Sequence, residues 1–146
     1  MESVIQLNGW AIAVAVLAII IIGFVWYGPL LGNAWMREMD LPQDFKPAAA
    51  QIKRSLLLMI VSAVFSTVAL DIAIQVLRPS TWDAGDDVAD IFYGVLAPLG
   101  VWAGFYLPLL LNGVACENRS WKLFGINAGY HLAALLVAGM ILAHWH

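Results

Sequence analysis

The sequence predicts an all-α integral membrane protein, folded as a bundle of four helices that cross the lipid bilayer. Its composition indicates this class, since 62% of its 146 residues are hydrophobic and only 12% are charged. Soluble domains are about half apolar and about a quarter charged. A small soluble domain exposes most of its residues, so this much apolar surface would face water and cause aggregation. We therefore expect the lipid bilayer to cover most of the chain.

Four apolar segments account for the predicted crossings. A transmembrane helix needs about 20 mostly apolar residues, and residues 10–31, 56–77, 91–111 and 123–143 meet this requirement. The first segment is not typical of a cleaved signal peptide, because no Lys or Arg precedes it. The third contains Pro98 and Pro108, which predict a bend that serves either packing or a hinge. With no internal repeat, residues 1–146 are predicted to form a single transmembrane domain.

The distribution of basic residues predicts the orientation of the bundle. Residues 36–54 contain four Lys or Arg residues and residues 116–122 contain two, whereas the connection on the opposite side contains only Arg78. Connections rich in Lys and Arg stay in the cytoplasm during insertion. Both basic connections are therefore predicted to be cytoplasmic, and the N- and C-termini are predicted to lie on the non-cytoplasmic side.

Rows of small residues predict where helices pack. Small side chains let membrane helices approach closely, and such rows occur on three of the spans. The predicted packing positions are Ser62, Ser66, Ala69 and Ala73 on the second span, Gly100 and Gly104 on the third, and Gly125, Gly129 and Ala133 on the fourth. These surfaces outnumber the contacts that four helices need. The chain is therefore predicted to form a homo-oligomer or to dock on a larger membrane complex.

Polar residues inside the spans lie mostly in one layer near the cytoplasmic side. Counting about 1.5 Å per residue from that side brings residues of the first, third and fourth spans to a similar depth. The members of this layer are Tyr27, Asn112, Asn127, Tyr130 and His131, with Trp26 beside them. Asp71 lies about 10 Å farther out by the same count, so an Asp71–His131 pair is not predicted.

Two interpretations of these polar residues remain open. An intramembrane histidine beside Asn and Tyr can bind a solute or pass a proton near neutral pH. The layer can equally be a hydrogen-bonded clasp between helices. Asp71 is likewise either a functional acid or a structural one, neutralised by Arg78 two turns along the helix while Gln75 shares the hydrogen bonding.

Acidic and histidine residues also gather on the predicted outer side. They are Asp83, Asp86, Asp87, Asp90, His144 and His146. These residue types suit a cation, but their spacing is not that of a zinc site, and we predict no metal site. Asp86 or Asp87 is instead expected to cap the start of the third span.

Several functional classes find no support in the sequence. Cys116 is the only cysteine, which excludes an intrachain disulfide and a cage of several thiolates. The Lys and Arg residues are scattered and the net charge is -3, unlike a nucleic-acid-binding surface. Motifs typical of hydrolases, nucleotide-binding enzymes and metalloproteases do not occur. The protein is therefore predicted not to be an enzyme, to need no cofactor and to bind no nucleic acid.

Two segments resemble a known family. They read WYGPLLGNAWMREM over residues 26–39 and NRSWKLFGINAGYHLAALLVAGMIL over residues 118–142. They resemble the bacterial domain-of-unknown-function family numbered 1761, small four-span proteins with a Trp-Tyr-x-Pro signature, a later Gly-x-x-Trp and a Gly-Tyr-His in the last span. The matching positions are Trp26, Tyr27, Pro29, Gly32, Trp35, Gly129, Tyr130 and His131. The resemblance implies a multi-pass protein of a bacterial inner membrane and brings no activity or catalytic residue.

The first functional hypothesis is a non-enzymatic accessory or interaction protein that packs with itself or with a larger membrane complex. The alternative is an oligomeric transporter of a small solute, a proton or a cation. That transporter would use the polar layer around His131, together with Asp71.

Overall fold

The computed structural model describes residues 4–146, and every regular element in that range is helical. Six α-helices follow one another along the chain: α1 (Gly9–Val25), α2 (Gly32–Glu38), α3 (Ala49–Leu77), α4 (Asp90–Val101), α5 (Leu107–Cys116) and α6 (Trp121–His144). The first span continues from α1 through Trp26–Leu30, where the backbone is kinked at Gly28 (φ -109°, ψ -106°), and a π-helical segment at Trp102–Tyr106 joins α4 to α5. Pro79–Trp82 forms a 3₁₀ turn after α3.

Four helical stretches are long and apolar enough to cross a membrane, which confirms the predicted all-α, four-span fold. They run Gly9–Leu30, Ala49–Leu77, Asp90–Cys116 and Trp121–His144. The second, third and fourth spans are each longer than predicted. We call the end of the bundle with both termini and residues 78–89 the terminal end, and the end with residues 31–48 and 117–120 the basic end. Which end is cytoplasmic remains a prediction.

Side-chain caps fix the starts of the first and last spans. Asn8 Oδ1 accepts hydrogen bonds from the backbone N–H groups of Trp10 (3.1 Å) and Ala11 (3.3 Å). Ser120 Oγ accepts one from the backbone N–H of Leu123 at 3.0 Å. These bonds satisfy N–H groups that have no partner within the helix, so each span begins at a defined residue.

The start of the third span differs from the prediction. The residue before α4 is Ala89, and no side chain caps the helix. The expectation that Asp86 or Asp87 would cap it is therefore wrong. Asp87 instead accepts hydrogen bonds from the backbone N–H (3.0 Å) and the hydroxyl (2.7 Å) of Ser80. These bonds hold its carboxylate against the preceding turn and away from the helix.

α4 and α6 approach each other closely at Gly94 and Gly139. A Cβ atom placed on Gly139 would lie 2.3 Å from Pro98 Cγ and 2.6 Å from the backbone oxygen of Gly94. Only glycine fits at such a distance, because the two backbones touch. Neither glycine was among the predicted packing positions.

The glycines predicted to pack against other helices differ in how close their neighbours lie. Gly129 packs against Trp26, whose Cζ2 atom would lie 3.0 Å from an added Cβ. No atom lies within 4 Å of where a Cβ would stand at Gly100, Gly104 and Gly125. Within the described part of the chain, these three make no close helix contact. Their predicted contact with a second chain remains a prediction.

The second span turns its polar face toward the bundle. Its buried residues are Ala63, Thr67, Leu70, Asp71, Ile74 and Gln75. Of the small residues predicted to pack, Ser62 and Ala69 are exposed, while Ser66 and Ala73 are half-buried. Ala133 on α6 is also half-buried. An acid facing lipid costs about 2.5–3.5 kcal/mol, which outweighs the gain from a row of small residues and decides which face of α3 is buried.

The bundle is tightly packed at the terminal end and open at the basic end. All buried residues of α3 lie from Ala63 onward. Residues 49–62 of the same helix are exposed except for Leu56 and Met59, which are half-buried. The first half of α3 therefore stands away from the other spans and leaves a cavity between α1 and α3.

Candidate intramembrane binding site

A cavity of about 800 Å³ occupies this space, and all four spans contribute to its wall. The exposed residues on its rim, such as Phe24 and Leu58, belong to α1 and α3, so the cavity opens sideways toward lipid. Pro47 and Ser55 also line it and mark an opening toward the basic end. Sites for small molecules typically enclose about 300–1,000 Å³. The cavity therefore has the size of a ligand-binding pocket.

One polar wall of the cavity joins the end of the first span to α6. The hydroxyl of Tyr27 donates a 2.7 Å hydrogen bond to Asn127 Oδ1, and the indole N–H of Trp26 donates a 3.0 Å bond to the backbone oxygen of Ile126. The rings of Tyr27 and Tyr130 meet edge to face, with centroids 5.1 Å apart. Two adjacent residues of the first span thus bind two adjacent residues of α6, which holds this wall in place.

His131 faces the cavity from α6. The centroid of its ring lies 4.6 Å from that of Tyr106 and 4.9 Å from that of Tyr130. The hydroxyls of Tyr106 and Ser66 share a 2.8 Å hydrogen bond, which links the third span to α3. Among residues 4–146, no hydrogen bond reaches the imidazole of His131. Its nitrogen atoms can therefore serve a bound molecule.

Most of the predicted polar layer is brought together in this wall, namely Tyr27, Asn127, Tyr130 and His131. Asn112 is not: it is exposed on α5 and lies outside the cavity wall. The π-helical segment Trp102–Tyr106 precedes α5. A π-helical turn holds more residues than an α-helical turn, so it rotates every later side chain relative to a regular helix. Depth counted along a span therefore did not predict the direction in which Asn112 points.

Two further members of the wall were not predicted as site residues. Tyr106 lies at nearly the same depth as His131, and counting from the basic end places both about ten residues, or about 15 Å, into their spans. The depth argument could therefore have included it. Trp35 of α2 lines the cavity and packs edge to face on Tyr27, with centroids 5.9 Å apart. Its position depends on the turn after Leu30, which depth does not describe.

Asp71 lies apart from the cavity, toward the terminal end, where it is fully buried. His146 Nε2 stands 2.6 Å from its Oδ1 atom, and Gln75 Nε2 donates to the same atom at 3.3 Å. Gln75 also exchanges two hydrogen bonds of 2.9 Å with the backbone of Gln6. Within residues 4–146 no hydrogen bond or ion pair joins Arg78 to Asp71, so the interpretation in which Arg78 neutralises this acid is wrong. His146 is the partner instead, and Gln75 shares the hydrogen bonding as that interpretation expected.

Arg78 instead joins the end of α3 to α4 and α6. Its guanidinium donates to Asp87 (3.2 Å), Asp90 (3.0 Å) and the backbone oxygen of Ala143 (2.7 Å), and it lies 4.9 Å from the centre of the Tyr93 ring. Its backbone is extended, with φ -78° and ψ 124°, so the side-chain spacing of a helix no longer applies. The hydrogen bonds from Ser80, helped by Arg78, hold the pKa of Asp87 below its usual value.

The remaining residues of the predicted outer cluster do not converge. Asp83, Asp86 and His144 are exposed, whereas Asp87, Asp90 and His146 are bound as described above. Over residues 4–146, no group of three or more His, Cys, Asp or Glu side chains could hold a metal ion.

Four apolar spans around a lateral pocket define a multi-pass membrane protein with a candidate intramembrane binding site. More particularly, the chain belongs to the family described as "Protein of unknown function (DUF1761)", whose profile matches residues 10–143. This match confirms the resemblance seen in the sequence and includes the whole polar wall of the cavity. Comparison with curated proteins and with solved structures gave no significant match.

Proposed function

We propose that this protein binds an amphipathic molecule with an uncharged, hydrogen-bonding head group. The observation that carries the proposal is the cavity of about 800 Å³, which is largely apolar and has a group of hydroxyl, amide and imidazole side chains at its inner wall. Ligand sites commonly combine an apolar lining with a few convergent polar groups that orient the ligand. The tail of the ligand would contact the apolar lining and its head would meet His131, Tyr106 and Tyr130.

The composition of the wall supports an uncharged head group. Among the residues that the structure describes, no Asp, Glu, Lys or Arg lines the cavity. A charged group placed there would lose its hydration without gaining an opposite charge, which is strongly unfavourable. A carbonyl or hydroxyl group instead matches the Tyr106 and Tyr130 hydroxyls and the His131 nitrogens, which can donate or accept hydrogen bonds.

The position of the cavity's opening between α1 and α3 supports entry of the ligand from the bilayer. Phe24 and Leu58 on the rim are 59% and 57% exposed, and in a spanning helix such exposed apolar residues face lipid tails. A molecule dissolved in the bilayer can therefore move between α1 and α3 without crossing water. The apolar rim is the structural basis for choosing a membrane-soluble ligand over a water-soluble one.

The cavity also bears on the two hypotheses drawn from the sequence. A transporter of a small solute requires an intramembrane binding site, whereas an accessory protein that only packs against partners does not. The cavity therefore favours the solute-binding alternative. The accessory role, an oligomeric state and a bacterial inner-membrane location remain predictions.

A tryptophan placed in the cavity tests the proposal. Ser62 lines the cavity and is exposed on α3, so Ser62→Trp is expected to fill the pocket without disturbing the core. Ala69, two turns further along the same helix, is equally exposed but lies outside the cavity wall, which makes Ala69→Trp the matched control. The purified chain in mild detergent is analysed by native mass spectrometry and by identification of solvent-extracted lipids.

The expected result is a bound neutral amphipathic molecule on the parent and on Ala69→Trp, and its loss from Ser62→Trp. The proposal is wrong if Ser62→Trp retains the same molecule as the control. It is also wrong if the parent carries only bulk lipids in the proportions of the host membrane.

A further inference from the structure

We propose that protons cross the bilayer along a path that joins the Asp71–His146 pair at the terminal end to the cavity at the basic end. This is a second function, and it does not depend on the ligand proposed above. The path is defined by polar side chains of α3 that lie between two regions open to the outside of the bundle.

Two buried polar atoms without partners lie between these regions. Asp71 Oδ1 is bonded to His146 and Gln75, but Asp71 Oδ2 has no hydrogen-bond partner. Thr67, one turn earlier on α3, is also fully buried, and its Oγ1 atom has no partner. Residues four apart share one face of a helix at about 5–6 Å. Buried polar groups are normally hydrogen-bonded, so these two neighbouring exceptions indicate a place where water molecules can bind and bridge the two side chains.

The part of the path that lies inside the packed protein, between Asp71 and the cavity, is short. Ser66, the neighbour of Thr67 in sequence, is hydrogen-bonded to Tyr106, whose ring lines the cavity beside His131. Asp71 and Ser66 are five residues apart, which is about 7.5 Å along the helix axis. The hydrocarbon core of a bilayer is about 30 Å thick. The packed segment between Asp71 and the cavity therefore spans about a quarter of the thickness of the hydrocarbon core.

Both ends of the path can exchange protons with their surroundings. At the terminal end, the His146 side chain is 15% exposed and contacts Asp71 directly. At the basic end, Pro47 and Ser55 line the mouth of the cavity and connect it to the polar region outside the spans. Arg78, the nearby cation of the terminal end, is engaged by Asp87 and Asp90 and does not compete for the buried acid.

The proton transfers balance with water as the only further carrier. As the N–H bond of protonated His146 breaks, an O–H bond forms on Asp71, which leaves a neutral imidazole and a neutral carboxyl group. No hydrogen bond joins Asp71 Oδ2 to Thr67 Oγ1, so water molecules entering between them carry the proton: a water accepts it from Asp71 and passes one of its own to the hydroxyl of Thr67, which releases a proton toward Ser66 and Tyr106. Asp71 becomes a carboxylate again, and the released proton passes into the cavity and leaves through its opening at the basic end. No bond other than those to hydrogen changes.

Proton flux into liposomes tests the path. The full chain is reconstituted in vesicles that contain a trapped pH-sensitive dye, and a potassium gradient with valinomycin sets the membrane potential. We expect the internal pH to change faster than in protein-free vesicles. Asp71→Asn, which keeps the shape of the side chain but cannot release a proton, is expected to reduce the flux to the protein-free level.

A pair of substitutions at Thr67 keeps the test decisive if Asp71→Asn fails to fold. Thr67→Val has nearly the same shape and no hydroxyl, whereas Thr67→Ser retains the hydroxyl. The path predicts loss of flux in Thr67→Val and retention in Thr67→Ser, with both variants equally stable and monodisperse. The proposal is overturned if the parent is no faster than protein-free vesicles, or if the two Thr67 variants conduct alike. Loss of the ligand in Ser62→Trp bears on the proposed function alone.

Discussion

Replacing Gly139 by alanine is predicted to force α4 and α6 apart. The added Cβ would lie 2.3 Å from Pro98 Cγ, 2.6 Å from Gly94 O and 3.2 Å from Pro98 Cδ. Carbon atoms in contact prefer about 3.5–4.0 Å, so the nearest contact falls short by more than about 1 Å. A proline ring and a backbone oxygen cannot rotate away, and the relief must come from moving a helix.

The expected loss of stability in Gly139→Ala is the difference between two opposing free-energy contributions. Overpacking a core costs about 1–3 kcal/mol, and a clash against backbone belongs at the upper end of that range. Alanine recovers up to about 1 kcal/mol because it favours a helix more than glycine does. The net change in the free energy of unfolding is therefore a loss of about 2 kcal/mol.

The assay is reversible unfolding in mixed micelles, followed by far-ultraviolet circular dichroism as the denaturing detergent is increased. Gly125→Ala is the matched control, since it lies on the same helix and no atom stands within 4 Å of its Cβ position. It is expected to be neutral or slightly stabilising. If Gly139→Ala is as stable as Gly125→Ala, the close approach of α4 and α6 is wrong.

Two further predictions concern the cavity wall. Gly129→Leu is expected to displace the Trp26 indole, which would lie 3.0 Å from the new Cβ, and so to lower thermal stability in detergent. Val137→Ala is the comparison and is expected to have a mild effect. An unchanged melting temperature in Gly129→Leu would show that this contact is not made. His131→Leu is expected to fold normally, since no protein group within residues 4–146 forms a hydrogen bond with the ring. It is expected to lose the bound ligand, whereas His131→Gln is expected to retain part of the ligand binding. If His131→Leu instead loses about 1–3 kcal/mol of stability, the residue is an interhelical clasp.

The four spans and most of the polar wall could be predicted because they depend on distance along a helix. Composition shows which segments need lipid, and a fixed rise per residue gives the depth of each side chain. Tyr27 and Asn127 illustrate this, since they are 100 positions apart and were still assigned to one layer. The stretch from Trp26 to Trp35 also carries part of the motif on which the family resemblance rests, and the match of the family profile to residues 10–143 confirms that resemblance.

The direction of each side chain around its helix could not be predicted in the same way. Regular spacing grouped Gly100 with Gly104, but the close helix contact is made by Gly94 and Gly139, with Pro98 beside them. Rows of small residues occur on lipid-facing and packed surfaces alike, so a row does not identify its neighbour.

The contacts of Arg78 could not be predicted because the direction of its side chain could not be predicted. As a helical residue it would have faced Asp71, but the chain leaves the helix at that point and the guanidinium turns to Asp87 and Asp90. His146 takes the vacant place beside Asp71. A contact made by a residue outside regular structure has no periodicity from which it could be read.

The bonds between the first and last spans have a consequence for how the protein is made. Trp26 and Tyr27 donate to Ile126 and Asn127, one hundred positions later in the chain. Synthesis proceeds from the N-terminus, so the first span enters the membrane well before its partners have left the ribosome. Until the last span inserts, two polar donors have no acceptor in lipid, where such groups are costly. The pocket therefore cannot be completed until the last span has been made, and a chain released before residue 127 would lack it.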